Sequence, residues 1–247
     1  MKLGIATPNH VSGDAIQYSC VPENYFRTTG EKLIDVSKSF VFDHNPFVLR
    51  DEKPDDVINL WTHHFPHTDE DSNRYLSKSE RWCAGLGIKM FLRHPRLYIY
   101  ENIEKAPLGE SRTISVHCSG KSRGHLSDKI VEHIRQKYEK YNIIQVGGTR
   151  DRTTSFIDFR GANFWESART IANSDIFIGI DSAMYHVSRC YPSVRRKVII
   201  QDNHFNKEQL KKFHPFREGF DDWIDFDTEY FNEFDYDIGV TNALHKI

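Results

Sequence analysis

Two α/β units built on parallel sheets are what this 247-residue sequence predicts, and three observations carry the prediction. Short runs of β-branched and aromatic residues recur along the chain, and helical patterns lie between several of them. The apolar runs end in polar loops rich in glycine and hydroxyl residues. Strands alternating with helices imply βα crossovers and therefore parallel pairing. The pattern breaks over 101–112, where Asn102, Pro107 and Gly109 fall among Glu101, Glu104, Lys105 and Glu110. That places an N-terminal unit at 1–106, a C-terminal unit at 107–217 and an acidic, aromatic segment at 218–247 that folds back on both.

In chain order, strands are expected at Lys2–Thr7, Lys32–Val36, Ser39–Phe42, Asp56–Trp61 and Arg96–Tyr100 in the first unit. The second unit offers Thr113–His117, Asn142–Val146, Asp175–Ile180 and Lys197–Gln201. The clearest helix is Ser127–Lys140, with Ile130, Val131, Ile134 and Tyr138 on one face. Ser127 can cap its start, Asp128 lies in its first turn, and Lys137 and Lys140 lie in its last, as the helix dipole favours. Further helices are expected at Phe164–Asn173 and at about Ala183–Cys190.

Composition bounds the function. Hydrophobic residues make up 38% and charged residues 28% of the chain, the balance of a folded domain rather than a disordered one. No apolar run approaches the roughly 20 residues of a membrane-spanning helix. The N-terminus lacks the apolar core and cleavage site of a signal peptide, and Cys20, Cys83, Cys118 and Cys190 form no CxxC pair. Buried thiols in a reducing cytoplasm are the expectation.

The net charge of -2 conceals a split. Arg112–Arg152 holds nine Lys/Arg against four Asp/Glu, whereas Glu218–Asp237 holds nine acids and no Lys or Arg. A basic middle suits an anionic ligand. Nucleic acid is disfavoured, because there is no long basic run, zinc-finger spacing or RNP-type motif.

Ligands of open parallel sheets bind beyond the carboxyl ends of the strands, which directs attention to four loops. They are Pro8–Ile16, Cys118–His125, Gly147–Asp151 and Asp181–His186. In the last three, Gly120, Gly147 and Gly148 allow close backbone approach, and Ser119, Ser122 and Thr149 add hydroxyl donors. Lys121, Arg123 and Lys129 supply positive charge, Ser182 and Ala183 open a helix, and His186 lies just inside it. Together they suit a diphosphate.

Several decoys are set aside. Gly120-Lys121-Ser122 resembles the end of a P-loop, but the first P-loop glycine would fall at Ser115. Asp225-Phe226-Asp227 and Asp235-Tyr236-Asp237 lie in a generally acidic segment, and His63-His64-Phe65-Pro66-His67 lacks an HExxH partner. No metal site is expected. Asp181, Ser182 and His186 supply hydrolase residue types, but no GxSxG elbow accompanies them.

The segment Gly179-Ile180-Asp181-Ser182-Ala183-Met184-Tyr185-His186 resembles the G-x-D-S/T-G-x-x-H signature of the heptosyltransferase-like glycosyltransferases, family 9, of GT-B fold. Ala168–Asp175 is similar to the helix and strand entry that precede that signature. Val146-Gly147-Gly148 and His117-Cys118-Ser119-Gly120 resemble the family's donor-domain turns. Ser12-Gly13-Asp14-Ala15-Ile16, followed by Val21-Pro22, is similar to its N-terminal Gly-Asp loop. The chain departs from the pattern at Ala183, where the family usually has glycine, and at Met184 or Tyr185, where it has proline.

The resemblance implies a compact GT-B-like enzyme with two Rossmann-like domains facing a cleft. It would be an inverting, metal-independent glycosyltransferase of cytoplasmic polysaccharide biosynthesis, with no cofactor. A nucleotide-diphosphate sugar, heptose among the candidate sugars, would serve as donor and a glycan or lipid-linked glycan as acceptor. Peripheral membrane contact is compatible with such an acceptor. Asp14 would be the general base, although a helix N-cap is its alternative role. Ser119, Gly120, Lys121, Arg123, Lys129, Gly148, Asp181, Ser182, Ala183 and His186 would bind the donor, its base and ribose lying near Gly148–Asp151 and Arg160–Asn163. A GT-B-like sugar-nucleotide epimerase, a non-catalytic nucleotide-sugar-binding protein and a P-loop-type kinase are the competing readings.

Overall fold

The computed structural model describes residues 2–7, 13–59, 78–92, 94–100, 112–120, 124–180, 182–201 and 228–232, with the backbone alone at Asp14, Lys78, Gln201 and 228–232. The chain divides into two compact units, Met1–Glu101 and Asn102–Ile247.

In the N-terminal unit, β1 (Leu3–Ala6) leads to α1 (Gly13–Gln17) and α2 (Val21–Thr29). Next come β2 (Leu33–Asp35), β3 (Val48–Leu49), β4 (Asp56–Asn59) and α3 (Lys78–Gly85). The four strands are parallel in the order β3-β2-β1-β4. Pro22 stands in the first turn of α2, where its missing N–H costs nothing, and Gly30 ends the helix in the left-handed conformation. Ile5, Ile16, Val21, Leu33, Ile34, Phe42, Trp82 and Leu97 are buried in the core of this unit.

Two expected strands of this unit are absent. Ser39–Phe42 contains instead a single 3-10 turn at Phe40–Phe42. Its cause is Asp35, a buried carboxylate that accepts from Ser37 N (3.0 Å), Ser37 Oγ (2.7 Å) and Ser39 N (2.7 Å) and so wraps the chain around itself. Arg96–Tyr100 is also not a strand. Side-chain bonds hold the segment there: Arg96 N donates to Ser19 Oγ at 2.7 Å, and the Tyr98 side chain donates from Oη to the buried Glu23 carboxylate at 2.5 Å. The aromatic run that looks like a strand is therefore a strap over α2.

In the C-terminal unit, β5 (Thr113–His117) is followed by a two-strand hairpin, β6 (Ser119–Gly120) and β7 (Gly124–His125), and then by α4 (Asp128–Lys137). The chain continues through β8 (Asn142–Gln145), β9 (Ile157–Asp158), α5 (Phe164–Ala172), β10 (Ile176–Gly179), α6 (Ala183–Arg189) and β11 (Arg196–Gln201) to β12 (Thr228–Asn232). The main sheet has the order β12-β11-β10-β5-β8-β9, parallel throughout. Counted from β5, its strands run 3-2-1-4-5-6, the Rossmann order, with the topological switch point between β5 and β10.

Burial explains the apolar strands. All four residues of β10 are buried, as expected for a central parallel strand covered on both faces. Ile114, Val116, Ile178 and Val198 pack with Ile130, Val131 and Ile134 of α4 in one hydrophobic cluster. The Ser127 side chain accepts from Ile130 N, as its position before the helix suggests. Within the acidic segment 218–247, the described stretch Thr228–Asn232 adds the edge strand beside β11. The paired Asp motifs at Asp225–Asp227 and Asp235–Asp237 lie outside the described residues, as does the histidine cluster at His63–His67.

Candidate functional site

The switch point gathers side chains from three strand ends. His117 closes β5 and pairs in register with Gly179, the last residue of β10. A β-carbon at Gly179 would lie 3.0 Å from the His117 carbonyl oxygen, so glycine lets these two strand ends meet closely. The His117 ring is 8% exposed and is held on both nitrogens. Its Nδ1 lies 2.8 Å from Ser182 Oγ, just beyond β10, and its Nε2 lies 3.2 Å from Asp151 Oδ2, in the turn after β8.

Asp151 is fixed in turn. Its Oδ2 accepts from Gly148 N at 2.7 Å, and its own N–H donates to the Gly148 carbonyl at 3.0 Å. Arg160 donates from Nη1 to the Asp151 carbonyl and grips Asp158 with Nε and Nη2, both at 2.8 Å. That pairing holds the Asp158 carboxyl down at about 2, mainly through the side-chain hydrogen bonds from Arg160. Gly147 makes the turn feasible, because its φ is +136° and a β-carbon there would stand 2.1 Å from Asp151 Oδ2.

A second set of bonds frames the same edge. Ser119 Oγ accepts from Arg152 N at 3.0 Å, and Arg152 Nη1 donates to the Leu126 carbonyl at 2.6 Å while pairing with Asp128. The buried Gln145 donates to the Arg152 carbonyl and accepts from Thr154 Oγ1 at 2.7 Å. Cys118, beside His117, is buried, and burial pushes its thiol up to about 12. It is an inert packing group.

Of the residues singled out in the sequence, Ser119, Gly148 and Ser182 belong to these two bond networks. Gly120 lies in the hairpin with β7, Ala183 opens α6, and His186 is buried on α6 with its ring 5.1 Å from that of Tyr185. Lys129 is exposed in the first turn of α4. Asn163 caps α5: its side chain accepts from Glu166 N at 2.9 Å, and Glu166 accepts from Asn163 N at 3.0 Å. Asp14 is the second residue of α1, its side chain outside the described set; Lys121, Arg123 and Asp181 lie outside it entirely. Among the described residues no group of three or more His, Cys, Asp or Glu is placed to hold a metal ion.

The sequence places His117 in a segment that resembles a donor-domain turn but does not mark its ring as a site group. In Thr113-Ile114-Ser115-Val116-His117 it reads as one more position of a strand. The available signal was its place as the polar last residue before a glycine-containing loop.

No protein-family model matches the sequence, and no curated protein matches it. Solved structures do match. The glycosyl transferase family 9 protein from Veillonella parvula aligns over 100% of this chain and 90% of its own, with a TM-score of 0.63 and 12% identity. E. coli ADP-heptose LPS heptosyltransferase II aligns over 100% and 97%, with a TM-score of 0.59 and 12% identity. The dodecameric iron-containing heptosyltransferase TibC of enterotoxigenic E. coli, in complex with ADP-D-β-D-heptose, aligns over 81% of this chain with a TM-score of 0.58 and 14% identity. The chain spans 59% of the length of TibC. Its fold is that of the family-9 glycosyltransferase structures.

Proposed function

We propose that this chain is a glycosyltransferase that moves a sugar from a nucleoside-diphosphate sugar to a hydroxyl of a glycan or lipid-linked glycan. The observation that carries the reading is the constellation of His117, Asp151 and Ser182 at the switch point of a parallel sheet in Rossmann order. Such switch points bind nucleotides, and the fold is one whose relative TibC is seen with ADP-heptose. Heptose is therefore the first donor sugar to try.

In this reading Asp14 takes the proton from the acceptor hydroxyl as general base. The acceptor oxygen then attacks the anomeric carbon, inverting it, and the bond to the diphosphate breaks with its electron pair on the leaving oxygen. Lys121 and Arg123, with Ser119 and Ser182, stabilise the departing charge, so no obligatory metal enters the step. Asp181 and His186 orient sugar or phosphate. The base and ribose lie near Gly148–Asp151 and Arg160–Asn163. Lys129 adds charge at the rim.

Asp14→Ala tests the assignment. Calorimetric affinity for a nucleotide-sugar is expected to stay at the wild-type value while sugar transfer disappears. Unchanged turnover would remove Asp14 from the chemistry. Incubating the nucleotide-sugar alone separates transfer from epimerisation, because only an epimerase turns over without an acceptor.

A further inference from the structure

One surface of the N-terminal unit holds an aromatic ring out in water beside two cations. Residues 88–92 lie along α2, and two side chains one turn apart on that helix fix them there. Asn24, fully buried, accepts from Phe91 N and Leu92 N, both at 2.8 Å, and donates to the Leu92 carbonyl at 2.9 Å. Thr28 Oγ1 accepts from Lys89 N at 3.2 Å. Ile88 is buried, so the segment is pinned from the inside while Phe91 is left 42% exposed.

Lys89 Nζ lies 5.3 Å and Arg27 Cζ 6.0 Å from the centroid of the Phe91 ring, within reach of cation–π attraction. Arg27 also pairs with the buried Glu23, which Arg96 shares at 3.2 Å. Among the described residues no carboxylate pairs with Lys89. The sequence Lys89–Arg96 holds three Lys/Arg, one His and no acid, Arg93 lying outside the described residues. Glu31 and Lys32, both exposed beyond the end of α2, cancel in charge. The patch is therefore a positive field around an apolar ring.

Charge complementarity selects an anionic partner, and the ring selects among anions. Phenylalanine has no polar edge, so a soluble anion gains little from it. The headgroup boundary of a bilayer offers phosphate oxygens to the cations and hydrocarbon to the ring side by side. One ring and its cations fall far short of the roughly 800 Å² per partner of a stable protein interface.

We propose that Phe91, with Lys89 and Arg27 beside it, is a surface anchor for a bilayer containing anionic phospholipid. The ring enters the headgroup boundary, and the ammonium and guanidinium meet lipid phosphates. The anchor stands on the patch alone, independent of the donor reading above.

Cosedimentation of the full chain with vesicles tests the anchor. Vesicles of mixed phosphatidylglycerol and phosphatidylcholine are expected to bind about tenfold more tightly than phosphatidylcholine alone, the difference shrinking as salt is raised. Phe91→Ala should weaken binding to the anionic vesicles about tenfold, and Lys89→Ala about fivefold. Phe91→Trp should keep binding and add an emission blue shift on vesicles beyond that of the wild-type chain. Circular dichroism and calorimetric nucleotide-sugar affinity are expected to match wild type in every variant, so the anchor and the donor reading fail separately.

Binding no tighter to anionic vesicles than to phosphatidylcholine, or no binding to either, overturns the proposal. So does anionic-vesicle binding that Phe91→Ala and Lys89→Ala leave unchanged, because another surface then makes the contact. Weakening in Lys89→Ala with Phe91→Ala unchanged also overturns it, since the patch would then hold anions by charge without inserting its ring.

Discussion

At Gly147 a methyl group has nowhere to go: the backbone φ is +136°, and both Asp151 and His117 stand within 3.0 Å of where a β-carbon would lie. Gly147→Ala is therefore expected to push Asp151 away from His117, at a backbone cost of about 1–3 kcal/mol. Differential scanning calorimetry should show a lower Tm, and nucleotide-sugar affinity should fall with it. A variant with wild-type Tm and affinity would contradict this account of the turn. Gly147 and Gly148 were legible in the sequence because paired glycines after an apolar strand have few other uses. His117 was not, because the alternation of β5 continues through it and nothing local shows that its ring meets residues 34 and 65 positions away.

Among the elements, legibility followed the strength of local signals. α5 shows this, with Asn163 and Glu166 three residues apart forming a capping box before an apolar stripe of Ala168, Ile171 and Ala172. Asn163→Ala should cost about 0.5–2 kcal/mol, read as a shift in the denaturation midpoint without change in slope. No shift would mean that packing alone holds the helix. Ser39–Phe42 and Arg96–Tyr100 failed as strands for the opposite reason. Their composition suits a strand, but the buried carboxylate of Asp35 draws the donors of Ser37 and Ser39 to itself, and that of Glu23 draws the Tyr98 hydroxyl from 75 residues away. Strand composition records only that a segment fits a half-buried surface. The short strands β3, β6, β7 and β9, of two residues each, carry too little sequence to announce themselves.

For the whole molecule, each unit contains a thiol that folding keeps protonated. Burial raises Cys83 in the first and Cys118 in the second from an ordinary value of 9.0 to about 12. Between those values the unfolded chain binds fewer protons than the folded one, so stability falls as pH rises from about 9 towards about 12 and is unaffected by these groups below that window. Tm measured across the window should therefore decline, and Cys118→Ala should flatten the decline. A slope unchanged by that substitution would exclude the thiol as its source. The sequence by itself determined the α/β class, the βα order of the C-terminal unit and the loops that end its strands, because apolar runs, caps and paired glycines act over a few residues. Tertiary structure alone decided that His117, Asp151 and Ser182 meet. Parallel pairing brings the ends of β5, β8 and β10 side by side only after the crossovers between them are folded, and no local pattern encodes that register.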